Sequence, residues 1–254
     1  MTTPLLALTV AVGVLGTSIL SGIFGMAGGF ILMGLYGLLF PVAGAMVLHA
    51  VTQMASNGYR CWLLRHHLVK KVFWGYSAGT ALCVLVFSQL QLVPDKATLY
   101  LLLGGVAFLP FVLPKRLQLT AQTHTGAVTC GVGVTAMHLT AGVSGPLLDI
   151  FYVHTTLTRQ QVVATKAFTQ TLGHLTKLAY FSAIVPFAEG VGAVPWWLFL
   201  AVIPLAMLGA TLGTRLLEKM SDHNFNRWSR WLILAIGVLY LVKGLWLIFP
   251  DTGA

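Results

Sequence analysis

The chain has 254 residues, 57% hydrophobic and 8% charged, with a formal net charge of +9. A soluble domain carries about 25% charged residues, so this chain cannot cover a water-facing surface and reads as an integral membrane protein. Its cations sit in short clusters between apolar spans, which excludes a nucleic-acid footprint and matches the positive-inside pattern.

The N-terminus, MTTPLLALTV, has no basic stretch ahead of its apolar run, so that run is expected to stay in the mature protein. Residues 4–41 are long and apolar but are interrupted by SGIFGMAGG. A bilayer crossing needs about 20 mostly apolar residues, and residues 45–63, 72–92 and 97–113 are predicted to cross. Residues 126–156 form a second interrupted region, broken at TAGVSGP; crossings at 159–183, 195–217 and 228–249 follow. After each break only about a dozen apolar residues remain, too few for a full span. Cys61, Cys83 and Cys130 lie in or beside apolar runs without metal-ligand spacing and read as small packers.

The loops set the direction of travel. Arg65, His66, His67, Lys70 and Lys71 follow the 45–63 span, and Lys115 and Arg116 follow the 97–113 span. Arg159 precedes the 159–183 span, and Arg215, Lys219, Arg227 and Arg230 bracket the loop before the last span. The opposite loops hold Asp95 with Lys96, Glu189 and Asp251. With basic loops in the cytoplasm, the 45–63 span runs inward and the 159–183 span runs outward. Each interrupted region must then enter and return on one side, as a re-entrant hairpin with its tip near mid-membrane.

The expected fold is therefore an all-α integral membrane protein of two inverted-topology repeats, residues 1–120 and 121–254. Each repeat is a glycine-broken re-entrant hairpin plus three transmembrane helices. The alternative, eight full transmembrane helices, turns the broken segments into full spans; two complete crossings per hairpin would put basic loops on both sides. Inverted repeats with broken helices at the midplane mark secondary transporters.

A polar string occurs twice. Residues 49–60 read HAVTQMASNGYR and residues 166–177 read KAFTQTLGHLTK. At a spacing of 117, His49 aligns with Lys166, Thr52 with Thr169, Gln53 with Gln170, Asn57 with His174 and Arg60 with Lys177. The two copies are expected to face each other inside the membrane and build one site.

The glycine-rich broken segment GIFGMAGGFIL, followed by a helix of small and polar residues and repeated in the second half as AGVSGP, resembles the sulfite exporter TauE/SafE family of permeases. The resemblance covers nearly the whole chain. It implies a multi-pass carrier of the bacterial inner membrane for sulfite, sulfonates or other small sulfur-containing anions.

Ionisable groups inside spans are costly and suggest function by default. Lys166 reads as an anion-attracting charge, with His49 as its counterpart; snorkelling to the interface is the plainer alternative. Thr52, Gln53, Thr169 and Gln170 can replace water around an oxyanion, or can merely tie helices together. Asn57 and His174 extend the same pathway. Packing and an anion-facing turn are equal readings for Gly25, Gly28, Gly29, Gly142 and Gly145, whereas Gly13, Gly16, Gly34 and Gly37 read as packers. Asp149 and His138 are candidate proton-coupling groups, with a purely structural pairing as the alternative for each. Arg60, Lys177 and Lys243 read as snorkelling cations. Trp196, Trp197, Trp228, Trp231 and Trp246 read as an interfacial belt.

No nucleophile–base arrangement and no GxxxxGK[ST] loop is present, so neither enzyme chemistry nor ATP-driven transport by this chain is expected, and no cofactor or metal is implied. The expected partners are the lipid bilayer, a small anionic substrate and protons as a coupling ion; a homo-oligomer is left open. The competing functions are a non-transporting membrane scaffold or assembly protein, whose polar residues only lock helices, and an intramembrane enzyme.

Overall fold

Proline, glycine and short hydroxyl caps divide the chain into ten helices in a computed structural model that describes residues 2–24, 27–112, 119–153, 155–217 and 222–249. Helix α1 (Thr3–Phe24) and the short α2 (Ala27–Leu39) flank the first glycine break. Pro41 then opens α3 (Val42–Leu63). A 3-10 turn at Arg65–His67 leads into α4 (Lys70–Leu90), which ends where Gln91 turns left-handed at φ 48°. The Asp95 carboxylate accepts from the Thr98 amide at 2.7 Å and starts α5 (Lys96–Val112). That amide holds the Asp95 carboxyl below its ordinary range.

Thr123 caps α6 (His124–Thr140) by accepting from the Gly126 amide at 3.1 Å. After the second break come α7 (Gly145–Val153) and α8 (Arg159–Ile184), the latter opened by a reciprocal Thr158–Gln161 capping box. A 3-10 turn at Val191–Ala193 precedes α9 (Trp196–Leu217), and α10 (Asp222–Ile248) closes the fold. Among the described residues there is no strand. Gly25, Lys115, Arg116, Lys219 and Asp251 lie outside the described residues, as do the side chains of Arg159, Arg227, Trp228 and Arg230.

The packing explains which helices are apolar throughout and which are not. Helices α1, α4, α9 and α10 are long and apolar enough to cross a membrane, and at most 33% of each span is buried inside the protein. Their outward faces carry Leu8, Val12, Leu85, Val86, Leu200, Leu239 and Val242. Such a surface is tolerable only against lipid. The belt tryptophans Trp196, Trp231 and Trp246 are exposed, and Lys243 folds over the Trp246 ring at 4.0 Å. Helices α3 and α8 are also long, 22 and 26 residues, but are too polar to face lipid. They lie inside: α3 packs on α8, α9 and α2, and α8 packs on α3, α4 and α6. The protein is an all-helical, multi-pass membrane protein.

The helix pairs have an ordered pattern. Helix α1 lies along α9 as α6 lies along α4; α3 pairs with α8, and α5 with α10. The α3–α8 pair is antiparallel, because His49 meets Lys177, Gly58 meets Thr171, and the Val69 amide meets Thr165.

The two broken regions are unequal. In the second, the Ala121 amide donates to the Phe151 carbonyl at 2.9 Å, and the Gln122 side chain accepts from the Thr156 amide and donates to the Thr156 hydroxyl. The two arms of that hairpin therefore start and finish together. In the first, α2 has only 13 residues, as expected of the piece after the break, but α1 has 22 and is itself long enough to cross, where a hairpin tip near mid-membrane was expected. Close packing of Gly22 on Gly213 and of Gly209 on Leu15 keeps α1 helical along α9.

Candidate functional site

A cavity of about 130 Å³ lies where four elements converge. The start of α2 contributes Gly29 and Phe30, and the start of α7 contributes Gly145 and Pro146, preceded by Val143 and Ser144. Helix α3 contributes His49, Gln53, Asn57 and Arg60. Helix α8 contributes Val162, Val163, Lys166, Ala167, Gln170 and His174, and Asp149 joins from α7. The first turns of α2 and α7 carry amides without partners inside their own helices, and helix N-termini are electropositive. Among the described residues, three charged side chains line the space: Arg60, Lys166 and Asp149. Lys166 and Asp149 form an ion pair, which leaves the positive charge of Arg60 in excess.

Helical spacing decides which residues of the repeated string reach the cavity. His49, Gln53, Asn57 and Arg60 stand at i, i+4, i+8 and i+11, one stripe of a helix. Lys166, Gln170, His174 and Lys177 repeat that stripe. Thr52 and Thr169 are buried but turned aside, each about 100° round the helix from its neighbouring glutamine. The Thr52 hydroxyl donates to the Leu48 carbonyl at 2.8 Å and lies 3.2 Å from the Tyr36 hydroxyl. The Thr169 hydroxyl donates to the Lys166 carbonyl at 2.9 Å. Both threonines support the site rather than line it.

The glycines separate in the same way. Gly29 and Gly145 line the cavity. Gly28 does not; it sits against the Thr17 carbonyl and Ser21 of α1, where a β-carbon has no room. Gly142 also stays behind the wall, at φ +75°, with the sulfurs of Met33 and Met46 filling the place of a β-carbon at 2.7 and 2.8 Å. Only glycine adopts that turn cheaply. The turn aims the Gly142 carbonyl at Lys177 Nζ, which donates to it at 2.9 Å.

Lys177 departs most from the sequence reading. It does not snorkel but is wholly buried, and its Nζ also donates to His49 Nδ1 at 2.8 Å. His49 Nε2 lies 2.8 Å from the Gly29 carbonyl. A carbonyl only accepts, so Nε2 carries the proton and Nδ1 accepts from lysine. One polar chain thus runs from Gly29 of the first break through α3 and α8 to Gly142 of the second.

His138 lies outside the cavity, wholly buried behind His174, their rings 4.5 Å apart. Its Nδ1 donates to the Val134 carbonyl at 3.0 Å, and its Nε2 takes the Ser144 hydroxyl at 3.3 Å. His174 is 5.3 Å from the His49 ring. Arg60, Ser144 and Lys177 were missed as site residues. The i, i+4, i+8, i+11 stripe pointed to Arg60 and Lys177; nothing in the sequence singled out Ser144. Among the described residues no group of His, Cys, Asp or Glu is arranged to hold a metal ion.

The cavity has a gradient of access. His49, Gln53, Asn57 and His174 are buried, while the Lys166 and Asp149 side chains are 28% and 35% exposed. The more accessible end is therefore that of Lys166 and Asp149; Arg60, which lines the same cavity, stands three residues before α3 finishes ahead of the exposed Arg65–His67 turn.

Broken half-helices pointing their N-termini into a polar cavity, enclosed by helices that face lipid outside, define a membrane transport protein. The sequence model of the family described as sulfite exporter TauE/SafE matches residues 9–240. The chain belongs to that family, whose members are membrane permeases rather than enzymes. No curated protein and no solved structure matches the chain.

Proposed function

We propose that the protein is a secondary carrier of a small anion, sulfite or an organosulfonate first among them, in a bacterial inner membrane. The observation that carries this reading is the convergence of two half-helix N-termini and two aligned polar stripes on one cavity with a cation in excess. A volume of about 130 Å³ suits one compact oxyanion and excludes a large organic ion. Gln53, Asn57, Gln170 and Ser144 supply neutral donors; Arg60 and Lys166 supply charge.

Residues 1–120 and 121–254 act as the two inverted repeats of this carrier. The reading is supported by the antiparallel α3–α8 pair and by the matching α1–α9 and α6–α4 contacts. The cavity opens toward the basic loops, which the positive-inside rule assigns to the cytoplasm. The opposite side is closed by the His49–Lys177 bridge. Transport then requires that bridge to part while the Arg60–Lys166–Asp149 end closes. Asp149 takes part through its pair with Lys166, which an arriving anion must share.

Flux of radiolabelled sulfite into proteoliposomes tests the proposal. Lys166→Ala and Gln170→Ala are each expected to slow uptake at least tenfold, about 1.4 kcal/mol of transition-state binding. Unchanged flux in both removes the site.

A further inference from the structure

A buried basic cluster lies against the inner wall of the cavity, and one member of it has nothing to bond. His174 is 2% exposed, lines the cavity, and its Nδ1 has no hydrogen-bond partner among the described residues. Its two histidine neighbours are fully engaged. His49 spans the Gly29 carbonyl and Lys177, and His138 spans the Val134 carbonyl and Ser144. Each of those rings holds a fixed proton on the nitrogen facing a carbonyl. His174 alone in the cluster has an uncommitted ring nitrogen.

The charges around it are few. From α3 come His49 and, across the cavity, Arg60; from α6, His138; from α7, Asp149. From α8 itself come Lys166 and Lys177, and α4, which also packs on α8, brings no titratable side chain to the cavity. Among the described residues the one acid that lines the cavity, Asp149, is already paired with Lys166. A proton on His174 therefore has no free counter-charge while the cavity holds no anion. A neutral His174 presents a lone pair on one ring nitrogen, which repels an anion. An anion in the cavity reverses both terms, because imidazolium offers N–H donors on both nitrogens and the anion supplies the missing negative charge.

We infer that His174 takes up a proton when the anion enters, so that the carrier moves one proton with each anion. This rests on the anion-carrier reading and adds the coupling ion and the group that holds it. The step forms one N–H bond on His174 from a solvent proton and breaks it when the anion leaves. For a monovalent anion the cycle is electroneutral.

Calorimetric titration of the purified full-length protein tests this, run near neutral pH in two buffers of different ionisation enthalpy. The probes are methanesulfonate and thiosulfate, which stay fully ionised, so every proton counted belongs to the protein. The wild type is expected to bind about one proton per anion. His174→Gln is expected to bind the anion about tenfold more weakly with proton uptake lost. In Asp149→Asn the affinity is expected to change but the count to stay near one proton per bound anion, which separates His174 from Asp149 as the proton carrier. Anion binding without proton uptake in the wild type overturns the inference, whatever the variants do, and so does undiminished uptake in His174→Gln. If neither probe binds, the anion reading itself falls and this inference falls with it.

Discussion

The two ends of the α3–α8 pair have the same sequence relation and opposite environments. His49 and Lys166 occupy aligned positions, as do Arg60 and Lys177. At one end His49 and Lys177 are joined and wholly buried; at the other Lys166 and Asp149 are part-exposed and share the cavity wall with Arg60. Aligned residues in similar halves thus perform different tasks in one conformation. The closed end is a matter of satisfied hydrogen bonds, the open end one of uncompensated charge. Under the carrier reading, the two ends exchange these conditions during transport.

The sharpest break of this comparison is access from water. With Cys61, Cys83 and Cys130 replaced by alanine, Lys166→Cys is expected to react readily with a membrane-impermeant thiol reagent added on the side of the basic loops. Lys177→Cys is expected to stay unlabelled from that side. Equal labelling at both positions abolishes the distinction between the ends.

Stability gives the next largest difference. Lys177→Met strands the Gly142 carbonyl and leaves His49 Nδ1 without a donor. Each unsatisfied buried group costs about 1–3 kcal/mol, so thermal unfolding in detergent should begin several degrees lower. Arg60→Met removes a side chain whose Nη2 has no partner among the described residues. It is expected to leave the protein at least as stable, because an unpartnered buried charge gives way to an apolar side chain, while weakening anion binding.

Adjacent glycines sharpen the contrast between wall and cavity. Gly28→Ala drives a methyl into the Thr17 carbonyl and should destabilise by about 1–3 kcal/mol. Gly29→Ala brings a methyl to 3.2 Å from the Gln53 amide. It should fold but slow sulfite flux by displacing that amide. A melt as low as that of Gly28→Ala would place Gly29 in the packing class too.

The smallest stability effect is expected at the open end. Lys166→Gln breaks a part-exposed ion pair, worth about 0–1 kcal/mol after solvent screening. The melting point should hardly move although flux falls. A large thermal loss would mean that the pair holds α7 in place rather than serving the anion.

Read alone, the chain carries the membrane class, the spans that became α4, α9 and α10, both breaks and the repeated polar string. Those features are carried by composition, charge placement and local spacing, which a linear chain displays. Tertiary structure alone decided that Gln53 and Gln170 face the cavity while Thr52 and Thr169 turn away, because rotation about a helix axis is fixed by its neighbours. It also decided that Lys177 is buried. A lysine seven residues from the end of α8 can reach water or a partner, and only packing against His49 and the left-handed turn at Gly142 supplied the partner. The length of α1 was settled in the same way, by its seam with α9 rather than by the glycines within it.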